Sequence, residues 1–169
     1  ERIGSELVSV RQPENDSIYS SADDIQNGQD IIVSVCKGET WKEVYYVEVK
    51  SKWDFNEPAH MSTHQIRNAV LHPECYALCC VDLRLYKNED LESLPEQTIL
   101  DCTRVKMEIG KELTSLVQNI ISADNYLDDE QIKISGYRSD MSAKVFEIGE
   151  PIEVLLKRIE DIIETESIL

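Results

Sequence analysis

The chain has 169 residues, of which 41% are hydrophobic and 30% are charged, and its formal net charge is −16 at pH 7. This size and composition are typical of one globular domain, or of one domain with an appendage. No apolar run approaches the roughly 20 residues that a membrane-spanning helix requires, so we expect no membrane partner. The acidic balance argues against a broad basic surface for nucleic acid, because phosphate contacts depend on Lys and Arg.

The first residue and the cysteines indicate whether the chain is part of a longer protein and in which compartment it is found. It begins with Glu1 rather than Met, so we expect a segment of a longer protein. The five cysteines are odd in number and fall mostly in apolar, strand-like stretches. This pattern predicts reduced thiols rather than a disulfide framework. We therefore expect a cytoplasmic location, or a nuclear one if the source is eukaryotic.

The first half of the chain predicts strands with one helix inserted. Residues 1–10 read as the end of a helix, and residues 17–29 hold a short strand and a polar loop. Ser62 or Thr63 is a suitable cap for a short helix that ends before residue 72. Apolar and β-branched runs predict three strands, at residues 30–36, 44–50 and 75–86, the last of them central.

The second half predicts more helix. Residues 98–107 read as a further strand, and residues 131–148 as a pair of short strands or one strand and a loop. Apolar residues recur at three- and four-residue spacing in residues 110–122 and 151–163, which predicts two amphipathic helices. This order indicates an α/β protein with a mixed sheet flanked by helices and a helical C-terminal extension. We place the boundary between a core at residues 1–106 and a helix-rich part at residues 107–169 that packs on it.

Charged side chains gather at the open end of a predicted hairpin. Asp30 begins the strand at residues 30–36, and Glu48 and Lys50 lie near the end of the strand at residues 44–50. Residues two apart on a strand point to the same face, so Glu48 and Lys50 share one face of the sheet.

The hairpin register brings the second carboxylate to the same place. A turn centred on residues 39–40 sets Asp30 opposite about residue 49 in an antiparallel pair. Two carboxylates this close repel each other unless a positive charge lies between them. Mg²⁺ takes oxygen ligands and often shares its site with substrate phosphate, and Lys50 would add charge beside the attacking water. The pattern therefore indicates metal-assisted phosphodiester hydrolysis.

The stretches "GQDIIVSV", "YYVEVKSKW" and "HMSTHQIRNAVLHPECYALCCVDL" together resemble the NO VEIN C-terminal domain family, within the PD-(D/E)XK nuclease superfamily. Members of that family show a "DI" strand, an "(I/V)EVK" strand, a short helix bearing Glu or Gln, and then an apolar strand that contains tyrosine. The resemblance covers residues 28–83 and implies a restriction-endonuclease-like core. Gln29 stands where the superfamily name has Pro.

The same resemblance implies roles for individual residues. Asp30 and Glu48 would hold Mg²⁺ or Mn²⁺, with the carbonyl of Val49 nearby. Lys50 would be the catalytic lysine, and Gln65 on the following helix would orient that lysine or the water.

The resulting hypothesis is a metal-dependent nuclease domain that cuts DNA, as the effector part of a larger restriction or defence protein. DNA would be contacted through a local basic patch or with the help of a further domain. The alternative is a catalytically inactive protein-interaction module on the same fold, since fold does not determine function. Such a module would bind other protein domains or a basic protein through its acidic tracts at residues 89–96 and 124–130.

Simpler explanations exist for the same side chains. Glu48 and Lys50 would form an ion pair on a solvated sheet face, with Asp30 in an unrelated turn. Lys52 would contact a phosphate. The simpler interpretation is that its ammonium is exposed to solvent. Four loosely spaced residues could also bind zinc, namely His60, His64, His72 and Cys75. No C-x-x-C pair supports such a zinc site.

Overall fold

The computed structural model describes residues 8–11, 29–37, 40–54, 58–115, 139–141 and 146–167. Its strands, in chain order, are β1 (Val8–Arg11), β2 (Ile31–Lys37), β3 (Thr40–Lys52), β4 (Ala59–Met61), β5 (Tyr76–Asp82), β6 (Thr103–Lys106), β7 (Ser139–Met141) and β8 (Glu150–Pro151). Six of them form one mixed sheet in the order β1-β2-β3-β5-β6-β8, while β4 and β7 form a separate two-stranded sheet.

The described helices cover both faces of the large sheet. They are α1 (Thr63–Leu71), α2 (Glu96–Asp101), α3, of which residues 109–115 are described, and α4 (Ile152–Ser167), with 3-10 turns at Arg84–Tyr86 and Leu91–Ser93. Within the described ranges, no helix is long and apolar enough to cross a membrane.

Helix α1 lies in the crossover between two parallel strands. Strands β2 and β3 form an antiparallel hairpin, but β3 and β5 run parallel. Parallel neighbours cannot be joined by a tight turn, so the chain leaves the sheet, forms α1 and returns. The crossover therefore places α1 over the face of β3 on which residues 46, 48, 50 and 52 lie.

Each face of the sheet packs its own hydrophobic core. Val33, Tyr45 and Val47 pack with Leu155 and Ile159 of α4. On the opposite face, a second core joins β5 to α1 and α3, and its buried members include Tyr76, Leu78, Ile66, Ala69 and Leu113. Because side chains alternate along a strand, Cys79 belongs to the first core and Cys80 to the second. Strands covered on both faces read as continuous apolar runs, which explains the sequence of β5.

The α/β class and the mixed sheet flanked by helices are confirmed. Three local predictions are wrong. The strand predicted at residues 75–86 ends at Asp82, and Arg84–Tyr86 forms a 3-10 turn. Val8–Arg11 is a strand rather than the end of a helix, because its alternating valines pair with β2. The chain at residues 98–101 belongs to α2, which begins after Pro95, so the strand there begins only at Thr103.

Other predictions fall partly or wholly outside the described residues. Residues 1–7 and most of the predicted strand and loop at 17–29 lie outside them. Of the helix predicted at 110–122, residues 110–115 are described and helical. Of the strands predicted at 131–148, the described part contains β7. The last predicted helix is confirmed as α4.

Strand β8 belongs to the large sheet and α4 covers it, whereas β7 pairs with β4 in the small sheet. Strand β8 pairs with β6, and α4 follows it directly and packs across the sheet. These elements supply an edge strand and one covering helix. The division after residue 106 stays a prediction.

The start of α3 packs so closely on the end of α1 that only glycine fits. A Cβ atom on Gly110 would lie 1.9 Å from the carbonyl oxygen of Ala69 and 2.8 Å from the Cα of Pro73. We expect Gly110→Ala to lower the free energy of unfolding by about 3 kcal/mol, at the upper end of overpacking costs, because the obstacle is backbone. Urea denaturation measures this change. Ser115→Ala, an exposed position on the same helix, is the control, and an equal effect of both variants would contradict the packing explanation.

Candidate active site

The β2–β3 hairpin brings Asp30 beside Glu48. Ile31 pairs with Val47, so residue 30 lies opposite residue 48, within one residue of the predicted register. The pairing shifts between Val33 and Ser34, where β3 accommodates one extra residue, Val44, as a β-bulge. Without this bulge, the register seen near the turn would extend along the whole hairpin. Residue 30 would then lie opposite residue 47, whose side chain points to the other face of the sheet.

Backbone hydrogen bonds hold Asp30 at the edge of β3. Its N–H donates to the carbonyl of Val47 at 3.0 Å, and the Val49 N–H donates to its Oδ2 at 2.7 Å. In an extended strand the N–H and C=O of one residue point to the same edge. The Val49 carbonyl therefore also lies on the side of β3 that faces Asp30, although the contact that the structure shows is made by the Val49 N–H. Asp30 itself is exposed to solvent.

Glu48 is a buried carboxylate with one oxygen satisfied. Only 1% of the residue is exposed. Its Oε1 accepts hydrogen bonds from Lys50 Nζ at 2.5 Å and from Gln65 Nε2. Its Oε2 is buried and has no hydrogen-bond partner among the described residues. Burial raises the pKa of Glu48, the Lys50 ammonium partly offsets this rise, and the nearby Asp30 carboxylate adds to it.

Gln65 is fixed in place by the cap of α1. Ser62 begins the helix with a capping box, in which the Ser62 hydroxyl accepts from the Gln65 N–H and the Ser62 N–H donates to Gln65 Oε1 at 2.8 Å. The same Oε1 accepts from Lys50 Nζ at 3.4 Å, so the amide nitrogen is left to donate to Glu48. A Gln can make all of these contacts because its amide carries both an acceptor oxygen and a donor nitrogen.

The structure thus brings together all the side chains that the sequence assigned to one site. Asp30, Glu48, Lys50 and Gln65 form a continuous set of contacts with the Val49 backbone. Sequence reasoning missed a further contact, from Asn68 Nδ2 to the side-chain oxygen of Gln29, the residue before Asp30. The signal that could have found it is the three-residue spacing from Gln65, which puts Asn68 on the same face of α1.

Lys52 is not the solvated charge that the sequence suggested. The residue is 0% exposed, and its ammonium has no hydrogen-bond partner among the described residues. The Nζ atom lies 5.4 Å from the centre of the Phe146 ring, which is in the range of a cation–π contact. The Phe146 ring therefore covers the end of β3, and Lys52 is enclosed there.

The residues present fit a hard divalent cation. The Glu48 Oε2 atom is buried and has no described partner, the exposed Asp30 carboxylate lies next to it, and the Val49 carbonyl is directed to the same edge. Within the described part of the chain, no group of three or more His, Cys, Asp and Glu side chains could hold a metal. Two carboxylates and a carbonyl leave the remaining positions to water and substrate, which is the coordination that Mg²⁺ accepts.

The structure does not assemble the loosely spaced zinc set. His64 lies in the first turn of α1 and His72 caps its other end, so about 12 Å of helix separates them. The ring of His72 instead packs on Tyr46, with 4.3 Å between ring centres.

A cavity of about 450 Å³ lies where β5 ends and β6 begins, and neither carboxylate of the pair lines it. Its lining includes Asp82, Arg84, Arg104 and Phe146. The Asp82 carboxylate forms an ion pair with the Arg84 guanidinium, which lowers the pKa of Asp82. None of the predicted catalytic side chains is among the described residues that line it.

No protein-family model, curated protein or solved structure matches the chain. The interpretation of the site therefore depends on its geometry and on the resemblance of residues 28–83.

The raised pKa of Glu48 makes the stability of the protein depend on pH. The unfolded chain releases this proton near the ordinary value of 4.5, while the folded state retains it to higher pH. The contribution of Glu48 to the free energy of unfolding is therefore greatest below pH 4.5, and it is lost as the pH rises towards the folded-state pKa of Glu48. Each tenfold difference in proton affinity between the folded and unfolded states corresponds to about 1.4 kcal/mol.

Glu48→Gln removes this dependence, so we expect the variant to become progressively more stable than the wild type as the pH rises. Urea denaturation between pH 4 and 8 measures the difference in the free energy of unfolding. A difference that does not change with pH would contradict the assignment.

The buried Lys52 ammonium should cost stability. Replacing it with a side chain of similar shape and no charge removes an unsatisfied buried group. We expect Lys52→Met to raise the free energy of unfolding by about 1 kcal/mol or more. Lys157→Met, at an exposed ion pair on α4, is the control and should change stability by less than about 0.5 kcal/mol. A large loss of stability in Lys52→Met would show that the ammonium has a favourable partner.

Proposed function

We propose that this chain is a metal-dependent nuclease domain with a restriction-endonuclease-like core, related to the NO VEIN C-terminal domain family, which hydrolyses DNA phosphodiester bonds. The observation that carries the proposal is the Glu48 carboxylate, which is buried with its Oε2 atom unpartnered among the described residues, beside Asp30 and 2.5 Å from Lys50 Nζ. Buried charges in proteins are normally paired or bound to metals, and here one oxygen is paired and the other is available.

The order of elements supports the same proposal. The resemblance rests on a strand beginning after Asp30, a second strand with Glu48 and Lys50, a helix with Gln65 and an apolar strand. These correspond to β2, β3, α1 and β5, and β3 and β5 are parallel neighbours with α1 in their crossover. The residues of the motif therefore lie on adjacent elements.

Asp30, Glu48 and the Val49 carbonyl would hold Mg²⁺ or Mn²⁺, which would lower the pKa of a bound water and stabilise negative charge on the phosphate. Lys50 supplies a second positive charge, and its ammonium donates to both Glu48 and Gln65. Held in this way, Lys50 has a donor left to hydrogen-bond the attacking water or a phosphate oxygen, since an ammonium has three. Gln65 keeps the ammonium and the Glu48 carboxylate in fixed relative orientation.

The net charge of −16 limits how DNA would be held. Affinity for nucleic acid depends on phosphate contacts from Lys and Arg and falls steeply with salt. The proposed reaction centre has one accessible lysine, so sustained DNA binding would come from a further domain or partner. Cleavage by this chain alone should therefore be sought at low ionic strength.

Two matched lysine variants test the proposal. Lys50 and Lys52 lie two residues apart on the same face of β3, but only Lys50 contacts Glu48. Supercoiled DNA and labelled single-stranded DNA and RNA are incubated with the chain at low salt, with Mg²⁺ or Mn²⁺. We expect Asp30→Asn, Glu48→Gln and Lys50→Met each to reduce cleavage by at least about 100-fold, and Lys52→Met to retain it.

Binding of the ion is measured separately from activity. Saturating Mn²⁺ should raise the melting temperature of the wild type, because a ligand present at 100 times its Kd stabilises by about 2.7 kcal/mol. The rise should be lost in Asp30→Asn and Glu48→Gln. Cleavage that persists in Glu48→Gln would indicate a contaminating nuclease. A wild-type chain that neither binds the ion nor cuts any nucleic acid would contradict the proposal and favour the protein-interaction module.

A further inference from the structure

Helix α1 contacts Glu48 through one amide side chain and the residue before Asp30 through another. Gln65 donates to Glu48 directly. One helical turn later, Asn68 Nδ2 donates to the Oε1 of Gln29, whose backbone leads directly into Asp30. Residues three apart lie on the same face of a helix. One face of a single helix thus contacts β3 at Glu48 and the start of β2 beside Asp30.

We propose that the Asn68–Gln29 contact is a positioning contact that holds Asp30 beside Glu48, so that α1 sets the separation of the two carboxylates. The proposal rests on the proposed nuclease function in what it says about catalysis. Asn68 and Gln29 would be positioning residues rather than catalytic ones, because they act on the site through the backbone of Asp30.

The position of Asp30 explains why such a contact is needed. Ladder pairing between β2 and β3 begins at Ile31, so Asp30 lies just beyond the paired strand and is exposed. Its carboxylate is repelled by that of Glu48, and this repulsion acts to turn it away from β3. Two hydrogen bonds to β3, one through its N–H and one through Oδ2, oppose the repulsion. The Gln29 side chain adds a third restraint, directed to the helix rather than to the strand.

The chemistry of the contact suits a metal site. Two neutral amides add no charge beside the carboxylates, so they leave the electrostatics of the site unchanged. Mg²⁺ accepts only a narrow range of ligand distances, so carboxylates that approach from two different strands must be aligned by a third element. Helix α1 provides that alignment because its cap already fixes Gln65.

The test compares three variants. Asn68→Ala removes the contact. The exchange Gln29→Asn with Asn68→Gln moves one methylene from one partner to the other and retains the two amides. Leu71→Ala, at an exposed position on the same helix, is the control. For each variant, the hydrogen-exchange rate of the Val49 amide, the Mg²⁺ affinity by calorimetry and the rate of DNA cleavage are measured.

The Val49 amide reports on Asp30 without any metal or substrate, because it donates to Asp30 Oδ2. In Asn68→Ala we expect it to exchange at least about 10-fold faster, while amides in the centre of β5 keep their wild-type rates. Mg²⁺ affinity should fall by about 10- to 100-fold, as is usual when a residue that orients a metal ligand is lost. The exchanged double variant should recover both values, and Leu71→Ala should change neither.

The outcomes separate this proposal from the proposed function. An unchanged Val49 amide in Asn68→Ala would overturn the positioning role, even if cleavage and metal binding were established. Faster exchange of all amides together would also overturn it, because the contact would then be merely structural. Faster exchange at Val49 alone, in a chain that binds no divalent ion and cuts nothing, would support the positioning of Asp30 and contradict the nuclease.

Discussion

The burial of the Glu48 carboxylate is the constraint on which the rest of the candidate site depends. Removing a carboxylate from water disfavours its charged form, and hydrogen bonds or a cation must compensate. Lys50 and Gln65 compensate at Oε1 only. The second oxygen is buried without a hydrogen-bond partner among the described residues, and it needs either a proton or a cation. Lys50 pairs with one oxygen only, and under the proposed function a cation would occupy the other.

Helix α1 connects the architecture of the fold to that burial. The parallel pairing of β3 and β5 requires a crossover, and the crossover places α1 over the face of β3 that carries Glu48 and Lys50. The capping box that begins the helix also orients Gln65 towards Glu48. Local helix initiation and the organisation of the site therefore use the same side chain. A change at Gln65 would affect both the start of the helix and the environment of the carboxylate.

The negative net charge of the chain and the positive charge of Lys50 act over different distances. A net charge of −16 repels a polyanion at long range, and salt screens this effect. Lys50 acts at contact distance in a partly buried position, where screening is weak. A protein of this charge can thus keep a local site for phosphate while its surface contributes little to DNA binding. This separation is consistent with the proposal that other parts of a larger assembly would hold the DNA.

Several features of the structure could be predicted from the sequence because they depend on local patterns. Runs of apolar and β-branched residues determined β2, β3 and β5, and the three- and four-residue spacing determined α4. The even spacing of Glu48 and Lys50 determined that they share a face, and Ser62, one of the two candidate caps, begins α1. The short segments at Val8–Arg11 and residues 98–101 were assigned wrongly, because pairing with β2 and the position of Pro95 outweigh weak local preferences there.

Only the tertiary structure decided the environment of these side chains. The bulge at Val44, which sets which residue faces Asp30, has no signal in the alternation of the strand. The burial of Lys52 and the contact of Asn68 with Gln29 arise between elements distant in the chain. The sequence by itself determined which chemical groups are present and on which face of a strand or helix they lie, since those depend on the repeat of the backbone. The register between strands, the desolvation of Glu48 and the partners of each amide required the packed fold, because they depend on the relative positions of segments that the local backbone does not control.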